Sequence, residues 1–172
     1  MRRSIGIAVI IFMGLIAVSC NSEAEKIMHI EDTEKVLFDK EKDFDETLAE
    51  QLLNEYEAFA ASYPENEMTP VYLDRAANIA RGLKDFERGL KNYQAIVEGY
   101  PEFERIIETK FLIAFMYDNE IKDKAKAEEH YKAVAQEYPD HIFGRNAKDR
   151  LITLHMSDEE LLEFFDEKNK KN

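Results

Sequence analysis

From about residue 45 onwards, apolar residues recur at intervals of three and four, which is the spacing of one face of an α-helix. The first such segment starts at Asp45, a residue type that caps helices, and stops before Pro64. A second starts at Thr69-Pro70, where a capping hydroxyl precedes a proline at the first helical position. The apolar positions of the two segments are Leu48, Leu52, Leu53, Tyr56, Phe59, Ala60 and Tyr63, then Leu73, Ala76, Ala77, Ala80 and Leu83. The pattern predicts an all-α fold.

The helical pattern repeats along the chain. The segment LKDFERGLKNYQAIVEGYPE, from Leu83, aligns with IKDKAKAEEHYKAVAQEYPD, from Ile121, so that Tyr100-Pro101 falls on Tyr138-Pro139. An offset that is one residue shorter places Tyr63-Pro64 on Tyr100-Pro101. Each repeat therefore consists of a helix, a turn marked by Lys-Asp, a second helix and a Tyr-Pro stop. Helix-turn-helix repeats of this length are typical of an α-solenoid, in which each repeat packs on its neighbours.

Three of the four prolines directly follow a tyrosine, at positions 64, 101 and 139. Proline disfavours the helical conformation in the preceding residue and has no N–H to continue the helix. The pair is therefore predicted to end the second helix of each repeat. Each of these tyrosines comes seven residues, or two helical turns, after Tyr56, Tyr93 or Tyr131, and is predicted on the same buried face.

The pattern continues beyond Pro139. The segment HIFGRNAKDRLITL predicts the first helix of a further, incomplete repeat, and Ser157 and Glu160 have the spacing of a capping box. The last helix carries an apolar stripe of Leu161, Leu162, Phe164 and Phe165. This stripe either caps the final repeat or docks on a partner. The helical domain is predicted over residues 45–168, and residues 169–172 are predicted to form a disordered tail.

Residues 1–19 have the organisation of an export signal. Arg2 and Arg3 precede an apolar run that is shorter than a membrane-spanning helix needs. The run ends at LIAVSC, where Cys20 is the only cysteine in the chain. Here the sequence resembles a bacterial lipoprotein signal, although Ala17 and Val18 differ from the residues usual at their positions. The resemblance implies cleavage before Cys20 and a covalent lipid, with palmitate among its acyl chains, on that cysteine.

The residues after Cys20 bear on where the lipid anchor lies. In the sorting rule of such lipoproteins, an aspartate after the cysteine retains the protein at the inner membrane, whereas this chain has Asn21. The resemblance therefore implies the outer membrane, with the periplasmic and cell-surface faces both left open. Residues 20–44 are mostly charged, so they are predicted to be a tether with a short helix around Thr33 to Phe38.

The second helix of each repeat resembles the tetratricopeptide repeat (TPR) family. The matching residues have the family's spacing: Gly89, Tyr93, Ile96 and Pro101 in one repeat, and Ala127, Tyr131, Val134 and Pro139 in the next. Around KFLIAFMY, in a first helix, two registers one residue apart both fit the pattern. The resemblance implies a short TPR-like α-solenoid of antiparallel helix pairs with a C-terminal capping helix.

In the TPR family the first helices line a groove that binds protein segments. With Ala77 and Ala114 in register, the groove candidates are Asp74, Asn78, Arg81, Phe111, Phe115 and Asp118. The run from Phe111 to Tyr117 is apolar on every side, which is also what a central helix buried by both neighbours would show.

Composition narrows the function. The chain of 172 residues has a net charge of −13, which disfavours nucleic acid because phosphate binding needs clustered Lys and Arg. The four histidines have no metal-ligand spacing, and no glycine-rich phosphate loop occurs. We therefore expect no enzyme activity, no metal and no cofactor apart from the lipid on Cys20.

These features predict a lipid-anchored envelope scaffold that binds protein or peptide. In architecture the chain resembles the lipoprotein component of the outer-membrane β-barrel assembly machinery, which has more repeats. Two alternatives stay open. One is a surface lipoprotein that binds a nutrient or glycan, which the absence of tryptophan makes less attractive. The other is a structural lipoprotein that forms a homo-oligomer.

Overall fold

The computed structural model describes residues 23–170, and within this range every regular element is a helix. The predicted signal at 1–19, the predicted lipid site Cys20 and the last two residues of the predicted tail lie outside the described residues. The described part of the first helix, α1, covers residues 23–37. The other helices are α2 (Glu46–Ser62), α3 (Thr69–Gly82), α4 (Phe86–Gly99), α5 (Ile106–Met116), α6 (Lys124–Glu137), α7 (Ile142–Thr153) and α8 (Asp158–Lys170).

The chain divides into two compact units, and the division lies between Ile79 and Ala80 within α3. Unit 1 contains α1, α2 and most of α3, whereas unit 2 contains the end of α3 and the helices after it. The region 45–168, which the sequence pattern treats as one helical domain, therefore contributes to both units. The predicted tail at 169–172 is helical as far as Lys170, because α8 continues to that residue.

The core of unit 1 is aromatic. The Tyr56 ring stacks on the Tyr72 ring with centroids 5.2 Å apart. The rings of Phe59 and Tyr72 meet edge to face, with centroids 5.0 Å apart. Tyr56 and Tyr72 are fully buried. Asp45 begins α2 as predicted, because its carboxylate accepts hydrogen bonds from the backbone N–H groups of Thr47 and Leu48.

Helix α1 occupies most of the segment that its charge predicts to be a tether. Ile30 and Leu37 of this helix are buried, with 2% and 6% of their surface exposed. Glu34 accepts a hydrogen bond of 2.6 Å from the Tyr56 hydroxyl and one of 2.5 Å from the Arg75 guanidinium. The prediction of a tether is thus corrected for residues 23–37, where a few apolar residues and a carboxylate with two partners hold an otherwise polar helix in place.

All three Tyr-Pro pairs end a helix in the same way. The tyrosines are the residues that directly follow α2, α4 and α6, and their φ/ψ angles are −132/61, −133/63 and −130/54 degrees. Each tyrosine donates its backbone N–H to the carbonyl four residues earlier, at 2.8 to 3.0 Å. The prediction that Tyr-Pro ends these helices is confirmed. Unlike the fully buried Tyr93 and Tyr131, Tyr63, Tyr100 and Tyr138 are only half-buried.

The Lys-Asp pairs also have a recurrent conformation. Lys84 and Lys122 adopt the left-handed conformation, with φ of 64 and 65 degrees. The aspartates that follow, Asp85 and Asp123, cap α4 and α6 by accepting the backbone N–H three residues later, at 3.2 and 3.1 Å. The left-handed residue reverses the chain and the aspartate starts the next helix, which explains why the pair recurs in sequence.

One difference between the repeats explains why the last two Tyr-Pro pairs are one residue farther apart than the first two. Both α3 and α5 begin six residues after a Tyr-Pro tyrosine, but the chain takes one residue more to reach the left-handed Lys122 than to reach Lys84. The extra residue lies in a π-helical turn, Tyr117–Ile121, which continues α5. A π turn is a one-residue expansion of an α-helix. The π turn begins at Tyr117, the last residue of the segment in which two registers fit the pattern.

In unit 2, α4 packs on α5, α5 on α6 and α6 on α7, and α5 also contacts α7. Gly144 of α7 lies so close to the Tyr138 carbonyl that a Cβ at this position would be 1.8 Å from its oxygen. The predicted capping box is confirmed, since Ser157 and Glu160 exchange hydrogen bonds of 2.7 and 3.2 Å at the start of α8.

Candidate binding groove

Phe115 of α5 lies between two arginines in unit 2. The guanidinium carbons of Arg81 and Arg150 are 5.9 and 5.4 Å from the centre of its ring. Cations within about 6 Å of an aromatic face are attracted by the negative charge of that face. Phe115 is half-buried, so the cluster keeps an aromatic side chain at the surface in a fixed position.

Arg81 is held in this position by Glu120 of the π turn. Its Nε lies 3.0 and 3.2 Å from the two carboxylate oxygens of Glu120, and its Nη2 donates to Oε1 at 2.6 Å. The hydrogen bonds to Glu120 are the main reason why the pKa of Arg81 is raised above its ordinary value. A carboxylate that contacts the guanidinium at two points fixes its orientation as well as its charge. Sequence reasoning did not mark Glu120, which lies in the π turn.

Asp118, also in the π turn, connects the cluster to the core. It accepts a hydrogen bond of 3.3 Å from the Tyr131 hydroxyl, and its carboxylate is 4.0 Å from Nη1 of Arg150. Burial, followed by the negative charge of Asp118, raises the pKa of the Tyr131 hydroxyl. Three predicted groove residues, Arg81, Phe115 and Asp118, therefore gather around Arg150, which no sequence signal had marked.

Phe111, a fourth groove candidate, belongs mainly to the core. Only 9% of its surface is exposed, and its ring is 5.5 Å from that of Tyr131 and 5.3 Å from that of Phe143. This is what the alternative interpretation of an apolar central helix expects for Phe111. Phe115, one turn later, is the more accessible of the two.

An open cavity of about 460 Å³ adjoins this cluster. Its lining comes from α5, α7 and α8 and consists of Phe111, Phe115, Asn146, Asp149, Arg150, Ile152, Thr153, Phe164 and Phe165. Two of these side chains are half exposed, Ile152 at 54% and Phe165 at 51%. Two residues of the α8 apolar stripe, Phe164 and Phe165, thus line the cavity, while the sequence leaves both a capping and a docking role open for the stripe.

The two groove candidates in unit 1 lie one helical turn apart on α3. Asn78 is exposed and donates its side-chain amide to the Asp74 backbone carbonyl at 2.8 Å. Asp74 is only 4% exposed. Asp74 is therefore corrected from a groove-lining residue to a buried one, whereas Asn78 stays accessible.

The described part of the chain has neither a cluster of metal-binding side chains nor a membrane-spanning helix. Between residues 23 and 170, no three His, Cys, Asp or Glu side chains are grouped so that they could hold a metal ion. In the same range no helix combines the length and apolar character needed to cross a membrane. Neither a scan against protein-family models nor a search of the curated proteins gives a match for this chain.

Proposed function

We propose that this protein is a lipid-anchored scaffold of the bacterial cell envelope that binds a segment of another protein in the cavity of unit 2. The cavity carries the proposal, because it combines exposed apolar side chains with Arg150, whose guanidinium contacts Phe115 and Asp118. An apolar side chain of the partner would contact Phe115 and Ile152. The Arg150 guanidinium would donate to a carboxylate or backbone carbonyl of the same segment.

We further propose that the helices form a short TPR-like solenoid. Its supports are local and repeated: the same tyrosine caps, left-handed lysines and capping aspartates recur from one repeat to the next. Within unit 2, α5 contacts both α6 and α7, as the first helix of a repeat does with its own second helix and with the first helix of the next repeat.

The anchor in this proposal is a lipid on Cys20, and its place is the outer membrane, as Asn21 implies. Mass spectrometry of the N-terminal peptide of the protein purified from envelopes tests the anchor directly. We expect a peptide that begins at Cys20 and carries acyl chains. A Cys20→Ala chain should lack the lipid and leave the membrane fraction. An unmodified cysteine in the purified protein would refute the anchor.

A matched pair of isoleucines on α7 tests the binding site. Ile152 lines the cavity and is 54% exposed, while Ile142 is 50% exposed and lies outside the cavity lining. After crosslinking in intact envelopes, we expect the same few proteins to be recovered with wild type and with Ile142→Arg. Ile152→Arg should lose them.

Three results would count against this proposal. Equal recovery with both arginine variants would show that the cavity is not the binding site. Recovery of the protein itself alone would favour the structural homo-oligomer. Recovery of no partner at all would favour a lipoprotein that binds a small ligand such as a nutrient or glycan.

A further inference from the structure

Unit 1 has a surface that chain geometry places next to the proposed lipid anchor. Here it is called the anchor-side surface, and it consists of the start of α1 and the α2–α3 turn: residues 23–26 and 62–67. Two arrangements are compatible with a lipid on Cys20: a flexible tether to the membrane, or a fixed contact of this surface with the membrane. The inference rests on the proposed lipidation of Cys20.

The start of α1 is tied to the α2–α3 turn. Asn66 in that turn donates its side-chain amide to Glu23, the first described residue. Lys26 donates to the Ser62 hydroxyl at 3.5 Å, and its ammonium lies 5.0 Å from the centre of the Tyr63 ring. These contacts come from both sides of the turn, so they hold the first turn of α1 in place.

The rest of α1 is held by buried groups. Ile30 and Leu37 lie in the core, and Glu34 is bound by both Tyr56 and Arg75. Since the helix is fixed along its length, Glu23 has a defined position on unit 1. Residues 23–37 therefore do not act as a flexible tether.

The reach of the anchor follows from covalent geometry. Two residues, Asn21 and Ser22, separate Cys20 from Glu23, and even a fully extended chain spans at most about 11 Å over these three residue steps. Glu41, beyond the other end of α1, is much farther away, because the described part of α1 alone rises by about 21 Å. A lipid on Cys20 can therefore lie close to the anchor-side surface and far from the opposite end of unit 1.

The charges on the anchor-side surface bear on how this surface contacts the membrane. The anchor-side surface carries four carboxylates, Glu23, Glu25, Glu65 and Glu67, and one basic residue, Lys26. Such a surface has no electrostatic attraction for anionic headgroups, which bind clusters of Lys and Arg. The contact with the membrane thus depends on the lipid anchor.

We propose that unit 1 stands on the lipid surface by its anchor-side surface, so that the lipid on Cys20 orients the protein as well as retaining it. The opposite end of unit 1, around Glu41, faces away from the membrane. The anchor acts as a short, oriented attachment.

Two single-cysteine variants test this orientation. Lipidation converts the Cys20 sulfur to a thioether, so an introduced cysteine is the only thiol of the lipidated chain. Glu65→Cys lies on the anchor-side surface and Glu41→Cys lies at the opposite end, and both replace an exposed glutamate. Each full chain is purified from envelopes, labelled with a thiol-reactive fluorophore and reconstituted into phosphatidylcholine vesicles that contain lipids with a nitroxide on the headgroup.

We expect the nitroxide lipid to quench the label at position 65 several-fold more than the label at position 41. A ten-residue Gly/Ser spacer inserted after Asn21 is the control, because it adds a flexible reach of roughly 17 Å. With the spacer, the two labels should be quenched to similar extents.

Equal quenching of the two labels in the lipidated protein without the spacer would overturn the inference and leave the lipid anchor intact. Stronger quenching at position 41 would do the same. The mass of each purified chain is measured before reconstitution. An unmodified Cys20 would overturn the anchor itself, and the orientation with it.

Discussion

The first and last described helices, α1 and α8, are buried to extents opposite to those that their sequences suggest. Helix α1 is highly charged, yet Ile30, Thr33 and Leu37 are buried. Helix α8 has the richer apolar pattern, yet none of its described side chains is buried, and Leu162 and Phe165 are 70% and 51% exposed. The number of apolar residues in a helix therefore did not decide which of these two helices is packed in a core.

Helix α1 has specific partners in the two helices that follow it. Glu34 of α1 meets a buried tyrosine and an arginine from the following two helices. In α8, the neighbouring rings of Phe164 and Phe165 contact each other edge to face at 5.5 Å, and both line the open cavity. Helix α1 is thus fixed by partners within its own unit, while Phe164 and Phe165 of α8 line a cavity that is open to solvent.

The largest expected effect comes from truncating the buried side chain of Ile30 on α1. Ile30→Ala should lower the free energy of unfolding by about 2 to 5 kcal/mol, because it removes apolar contacts and leaves a cavity. Urea unfolding of the full chain measures this loss. Met28→Ala, at a side chain of the same helix that is 56% exposed, is the control and should change stability by less than about 0.5 kcal/mol. Equal losses for the two variants would show that α1 is not packed as described.

A smaller effect is expected from the charge of Glu34. Glu34→Gln keeps the shape of the side chain but removes the charge that Arg75 and Tyr56 contact. The expected loss is about 1 to 2 kcal/mol, since Arg75 is 42% exposed and the pair is partly screened by water. Glu31→Gln, at an exposed position of the same helix, provides the matched control. A loss no larger than that of Glu31→Gln would show that the Glu34 contacts do not hold α1.

The Tyr56 hydroxyl predicts a dependence on alkaline pH. Burial, followed by the hydrogen bond to Glu34, raises its pKa above the ordinary value of 10.0. Above that pH the unfolded chain loses the proton while the folded chain keeps it, so stability falls as pH rises. The slope from this one group is about 1.4 kcal/mol per pH unit.

Urea unfolding between pH 9 and 11 measures this slope, and Tyr56→Phe should make it shallower. Below pH 9 the same variant should show only the loss of one hydrogen bond. An unchanged slope in Tyr56→Phe would mean that this tyrosine ionises as easily in the folded chain as in the unfolded one.

The smallest effect on stability is expected on α8. Leu162→Ala should change the free energy of unfolding by less than about 0.5 kcal/mol, because the side chain is already exposed to water. The same urea titration measures it. A loss of the size expected for Ile30→Ala would mean that α8 caps the last repeat tightly in solution, and the contrast between the terminal helices would disappear.

The helix ends were the most predictable part of the fold. Three prolines mark the ends of helices: Pro64, Pro101 and Pro139. Asp45 and Ser157 mark the beginnings of helices. The residue types near each helix end were therefore sufficient to predict it. The burial of α1 was not predictable, because Glu34 finds Tyr56 and Arg75 only after α2 and α3 have packed. Partners that lie so far along the chain leave no periodic signal in the sequence.

The candidate site was predictable in part. The resemblance to the TPR pattern was enough to select Arg81, Phe115 and Asp118, which are half-buried in the structure. Asp74 was predicted to line the groove but is buried. The register of a helix predicts which face a residue is on, but not how much of its side chain the neighbouring residues cover. Arg150 and Ile152 were missed because they lie in α7, a helix for which the predicted repeat pattern gave no groove positions.

The π turn has a consequence for how this protein changes over evolutionary time. Inserting a residue into an α-helix turns everything after it by about 100 degrees, which follows from about 3.6 residues per turn. Here the turn absorbs the insertion within Tyr117–Ile121, and Lys122 and Asp123 keep the conformations of their counterparts in the earlier repeat. Descendants of a common ancestor that lack this residue should have equal spacings between their Tyr-Pro pairs and an uninterrupted α5.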